Sequence, residues 1–161
     1  MRKFLLSFPV TYCIIKRCVV LFNISFYTLR SVPRTGETPL IIACMKGNLI
    51  IADLLIDAGA EVNKALLNGN TPLHFAVWSE NKFIGRKLIA TNAQVDAQNE
   101  NGETPLILAA REGNNEFAAL LVEHGANVNL ADNLQRTALY YAGERGYNEI
   151  VEMLLTAGAE G

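Results

Sequence analysis

Apolar residues along this chain fall in a block that returns every 33 positions. Thr38-Pro39-Leu40, Thr71-Pro72-Leu73, Thr104-Pro105-Leu106 and Thr137-Ala138-Leu139 stand in register, with no insertion or deletion between them. Alanine follows each threonine by five residues (Ala43, Ala76, Ala109, Ala142), leucine by seventeen (Leu55, Leu88, Leu121, Leu154) and alanine again by twenty-two (Ala60, Ala93, Ala126, Ala159). A fixed period of this length predicts stacked supersecondary units rather than one globular core.

The third unit shows what each one builds. Gly102 suits a turn that needs positive φ. Thr104 can cap a helix, and Pro105 fits its first position, where a missing N–H costs nothing. Leu106, Leu108, Ala109 and Ala110 give that helix one apolar face, and Gly113 is placed to end it in the left-handed conformation. A second helix carries Phe117, Ala118, Leu120, Leu121 and Val122 inward and ends at Gly125, after which residues 126–129 lead to the next turn. The unit predicted is helix, tight turn, helix, extended loop. Neither helix can bury its apolar face alone, so neighbours must stack.

These residues resemble the ankyrin repeat, whose signature is Gly-x-Thr-Pro-Leu-His followed by Ala-Ala, Gly, Leu-Leu and Gly-Ala. The match covers residues 35–161, about four fifths of the chain. The resemblance implies an all-α solenoid of helix-turn-helix units with β-hairpin loops projecting sideways. It divides the chain into an N-terminal segment (1–34) and repeats at 35–67, 68–100, 101–133 and 134–161. Only the second repeat keeps the family's histidine, His74; Ile41, Ile107 and Tyr140 stand in its place elsewhere.

The second repeat also departs from its neighbours in ways that read as costs. Glu80 stands where the others have Gly47, Gly113 and Gly146, and Asn92 replaces a helix-ending glycine. Gly85 lies inside a helix, where glycine costs about 1 kcal/mol relative to alanine. Lys87 takes a position held by Leu54, Leu120 and Met153. On sequence grounds this repeat is the weakest, and its second helix is expected to open first.

Charge divides the chain unevenly. Six of the fourteen basic residues (Arg2, Lys3, Lys16, Arg17, Arg30, Arg34) lie before residue 35 with no acid among them, which leaves eight bases against sixteen acids in the repeats. An acidic array argues against nucleic acid as a partner. The three cysteines, Cys13, Cys18 and Cys44, show no metal spacing; Cys44 sits at a small, buried-type position equivalent to Ala110. This usage favours a reducing compartment, cytoplasmic rather than secreted.

The first 34 residues admit three readings. A signal peptide would start on Met1-Arg2-Lys3, but Lys16-Arg17 follows its apolar stretch where a small-residue cleavage site belongs. A membrane span from Phe4 to Leu29 would place Lys16 and Arg17 at its centre. That costs about 5–7 kcal/mol against the roughly 4–8 returned by its Leu, Ile, Val and Phe residues. The third reading, preferred here, is a cytosolic segment that covers the open face of the first repeat or is partly disordered. Shifted by one period, Cys18, Val19, Leu21 and Phe22 fall under Ile51, Ala52, Leu54 and Leu55. At the other end, the moderately polar last helix before Gly161 leaves room for a longer array.

No catalytic constellation is visible, and neither an enzyme activity nor a cofactor or metal is expected. His74 belongs to the repeat signature, and His124 stands at a helix end, where the dipole favours it. No glycine-rich phosphate loop follows a strand. The resemblance implies instead a monomeric scaffold that binds another protein through its concave face and loop tips. The alternative is a membrane-tethered or secreted ankyrin protein with residues 1–30 as its targeting element. In such arrays the residue before the threonine and those late in the first helix line the concave face. Carried onto this chain these are Glu37, Met45 and Lys46; Asn70, Trp78 and Ser79; Glu103, Arg111 and Glu112; and Arg136, Glu144 and Arg145. Trp78, the only tryptophan, has the makeup of an interface anchor, unless it packs across a neighbouring helix.

Overall fold

The computed structural model describes residues 36–160. The readings of residues 1–34, whether cap, targeting segment or membrane span, and of Gly161, lie outside the described residues. Eight helices are described, in four pairs: α1 (Pro39–Met45) with α2 (Leu49–Asp57), α3 (Pro72–Trp78) with α4 (Lys82–Ala90), α5 (Pro105–Glu112) with α6 (Asn115–Glu123), and α7 (Ala138–Arg145) with α8 (Asn148–Thr156). Each helix packs on its pair mate and on its equivalent in the next pair, giving one row of odd-numbered and one of even-numbered helices. No helix among the described residues is long and apolar enough to cross a membrane.

Local chemistry sets the helix starts. The Thr38, Thr104 and Thr137 hydroxyls accept the backbone N–H of Ile41, Ile107 and Tyr140 at 3.2, 3.2 and 3.3 Å. A proline follows the threonine in the first three repeats. The even helices α2, α4 and α6 are capped by Asn48, Asn81 and Asn114, each accepting an N–H three residues on. Tyr147 takes that place before α8 and provides no cap; its ring instead covers Gly113, where a β-carbon would come within 2.6 Å of it.

The core lies between the two rows. Leu40, Ala43, Leu73, Ala76, Leu106 and Ala109 from the odd helices meet Ala52, Ile84, Leu88, Phe117, Leu121 and Leu154 from the even ones, all buried. The loops are tight hairpin turns rather than strands; among the described residues they contain a single antiparallel bridge, Ala131–Thr137. Neighbouring turns are tied by backbone bonds from Glu100 N–H to Asn68 O (3.0 Å) and from Asn133 N–H to Asn101 O (2.9 Å).

Two of the costs read into the second repeat are contacts instead. Gly85 is buried, and a β-carbon there would sit 2.5 Å from Phe117 Cζ, so the glycine makes room for the larger ring of the next repeat. Lys87 binds two carboxylates of the preceding repeat, Asp53 at 2.7 Å and Asp57 at 2.8 Å, which raise its pKa. Glu80 and Asn92 do adopt the left-handed conformation, with φ of 55° and 65°. That strain, about 1–2 kcal/mol for a residue with a β-carbon, stays with Glu80; Asn tolerates it better. The expectation that α4 opens first therefore loses two of its grounds.

Candidate functional site

Met45, Trp78 and Arg111 occupy one repeat position at the ends of α1, α3 and α5, three helices stacked in succession. Met45 is 42% and Trp78 40% exposed. The indole meets Phe75 of its own helix edge-on, with ring centroids 5.2 Å apart. Ser79, behind it, is half-buried and its hydroxyl donates to Ala76 O at 3.2 Å.

Arg111 is pinned from two sides. Its guanidinium pairs with the Glu103 carboxylate, and its Nε donates to Glu112 at 3.1 Å. Arg145 donates to the Arg111 carbonyl from the next repeat. Arg136 lies over both Tyr140 and Tyr141, 5.7 Å from each ring centroid, in reach of a cation–π contact. Glu112, Glu144, Arg145 and Lys46 are exposed, and Glu37 is half-buried.

Two of the twelve expected surface residues are internal. Asn70 is 7% and Glu103 6% exposed. The Asn99 amide donates to Asn70 Oδ1 and to Glu103 Oε2, both at 3.0 Å, and Asn99 Oδ1 accepts the N–H of Asn101 and Glu103. Asn70 and Glu103 thus turn back into the loop stack, because their loops are close enough for Asn99 to span them. Glu103 then orients Arg111 rather than meeting a partner itself.

Further buried polar groups fix the neighbouring turns. Thr71 N–H donates to His74 Nδ1 at 3.1 Å, which leaves the ring proton on Nε2 to donate to Glu103 O at 3.1 Å in the next repeat. Burial pushes the His74 pKa down, against the opposing pull of Glu103. Asp132 accepts the N–H of Leu134 and Arg136 and, at 2.6 Å, the Tyr141 hydroxyl. Burial would raise its pKa, but the Tyr141 bond, the two backbone N–H groups and Arg136 together hold it below its ordinary value. Burial and the Asp132 carboxylate raise that of Tyr141. Cys44 is fully buried, and burial pushes its thiol up to about 12. Among the described residues no three His, Cys, Asp or Glu side chains gather as a metal site would need.

Sequence reasoning passed over several exposed apolar residues. Tyr140 is on this side of the molecule, and Leu67 (78% exposed) and Leu134 stand at turn tips. Ile50 (74%) and Phe83 share one repeat position in the even row, where the later repeats have Glu116 and Glu149. The signal was present for four of them: Leu67, Leu134, Ile50 and Phe83 stand where other repeats carry Glu100, Asn101, Glu116 and Glu149.

The chain matches the family model described as ankyrin repeats (three copies) over residues 12–99 and again over residues 81–161. No curated protein matches it.

Proposed function

The chain belongs to the ankyrin-repeat family, whose repeats generally bind other proteins, and from that premise we propose that it is a protein-binding scaffold whose contact surface runs across the ends of α1, α3, α5 and α7. Met45 and Trp78 supply its apolar centre, Lys46, Arg111, Glu112, Arg136, Glu144 and Arg145 a rim of mixed charge, and Asn70 and Glu103 hold that rim from behind. The observation that carries the reading is the exposed indole of Trp78, braced by Phe75 and flanked at the same repeat position by Met45 and Arg111. A rigid aromatic flanked by an arginine is the composition of an interface hot spot. Recognition then depends on a preorganised shape, since the loops and caps fix the rim before any partner arrives.

Affinity capture with wild type, Trp78→Ala and Ile50→Glu, each checked for native circular dichroism, tests this. Proteins lost with Trp78→Ala but kept with Ile50→Glu would define the surface. An unchanged bound set with Trp78→Ala would refute it.

A further inference from the structure

The first described repeat has a face that its neighbours do not. Thr71, Pro72, Phe75 and Ile84 are buried, as are Thr104, Pro105, Leu108 and Phe117 one period later, whereas Thr38, Pro39, Ile42 and Ile51 are only half-buried. Leu54 is half-buried, as Lys87 and Met153 are at its position, and it is the equivalent of Leu120, which a β-carbon on Gly85 of the preceding repeat would meet. At the Pro39, Ile42 and Ile51 positions every later repeat, each with a repeat before it, has a buried residue.

We propose that residues 12–35 of this chain are the occupant, forming a degenerate repeat seated on the face made by Pro39, Ile42, Ile51 and Leu54. The family match begins at residue 12, well ahead of the first Thr-Pro-Leu. The 24 residues from there to Gly36 are enough for one helix and a returning loop, the content of residues 45–68 one period on. Charge agrees: the segment before residue 35 holds six bases and no acid, and the repeats hold twice as many acids as bases.

Contacts already formed between neighbouring repeats give the register. Lys87 reaches Asp53 and Asp57; moved back one period, those positions are Leu54, Val20 and Ile24. Gly85 faces Phe117 and Leu120; moved back two periods, those positions are Val19, Ile51 and Leu54. Both projections set apolar residues against apolar residues. Val20 and Ile24 then cover Leu54, and Val19 covers Ile51.

The test uses the full chain with Val20→Asp, Leu54→Lys and both together, which copies the Asp53–Lys87 pair into the proposed contact. Each single substitution should lower the urea midpoint, and the double should recover part of the loss. An unchanged midpoint with Val20→Asp, or single effects that simply add, would overturn the proposal. Should the charged variants fail to fold, Val20→Ala and Leu54→Ala carry the same comparison, with a double-mutant loss smaller than the sum as the supporting result. Flotation with phosphatidylcholine–phosphatidylserine vesicles covers the competing membrane role. Wild-type flotation abolished by Val20→Asp, with no shift in midpoint, assigns the segment to a bilayer and overturns the docking.

Discussion

Phe117 fills the space that a side chain on Gly85 would need: its Cζ lies 2.5 Å from the position of a β-carbon there, and Leu120 Cδ2 lies 3.2 Å away. The other repeats carry isoleucine at the Phe117 position (Ile51, Ile84, Ile150). The pair is a size exchange across a repeat boundary, glycine on one side and phenylalanine on the other. Gly85→Ala should therefore destabilise the protein by about 1–3 kcal/mol through overpacking, outweighing the gain of about 1 kcal/mol in helix propensity. Combining it with Phe117→Ile should restore most of the loss. Urea denaturation of the two single variants and the double checks both statements; a more stable Gly85→Ala would contradict them.

His74 links two repeats only while neutral. Its folded pKa is lowered by burial, so its contribution is complete above the unfolded value near 6.5 and is lost as pH falls through the folded one. His74→Ile, which copies the first and third repeats, leaves Thr71 N–H and Glu103 O without their partner and should cost about 1–3 kcal/mol at pH 7.5. The gap from wild type should narrow by pH 5. A gap independent of pH would show that the imidazole does not titrate with unfolding.

The Tyr141–Asp132 bond predicts an acid-side effect of the same sign. Asp132 is held below its ordinary carboxyl value, so its stabilisation is present above about pH 4 and disappears as pH falls through the folded value. Tyr141→Phe should cost about 1.5–3 kcal/mol at pH 7, as for a hydrogen bond to a charged group. The difference should shrink toward pH 3, as read from thermal midpoints.

Lys87 makes two ion pairs, but its side chain is a third exposed. Lys87→Met should shift stability by no more than about 1 kcal/mol at moderate ionic strength. The wild-type advantage should fall as sodium chloride is raised to molar concentration. A loss well beyond that would mean that the ion pairs to Asp53 and Asp57 hold α4, since methionine keeps most of the lysine's carbon chain.

The stack was legible because it is written four times. Register alone located the starts of the odd-numbered helices at Thr38, Thr71, Thr104 and Thr137, and the burial of Cys44 followed from its equivalence to Ala110. What depended on pairs of residues in different repeats was not legible. Gly85 reads as a defect until Phe117 is placed beside it, and Lys87 as a polar intrusion until Asp53 and Asp57 face it. The candidate surface was half legible for a similar reason. A repeat position such as that of Met45, Trp78 and Arg111 tells which side a residue is on. Asn70 and Glu103 share a side with the surface but are drawn inward by one amide, Asn99, whose reach no periodicity encodes.

Cys44 turns the first repeat into its own reporter. Alkylating reagents attack the thiolate, and a sulfhydryl enclosed in the α1 core with its ionisation pushed to about 12 is closed to them twice over, by access and by protonation. With Cys13 and Cys18 replaced by serine, the rate of iodoacetamide incorporation would time the excursions of that repeat away from its neighbour.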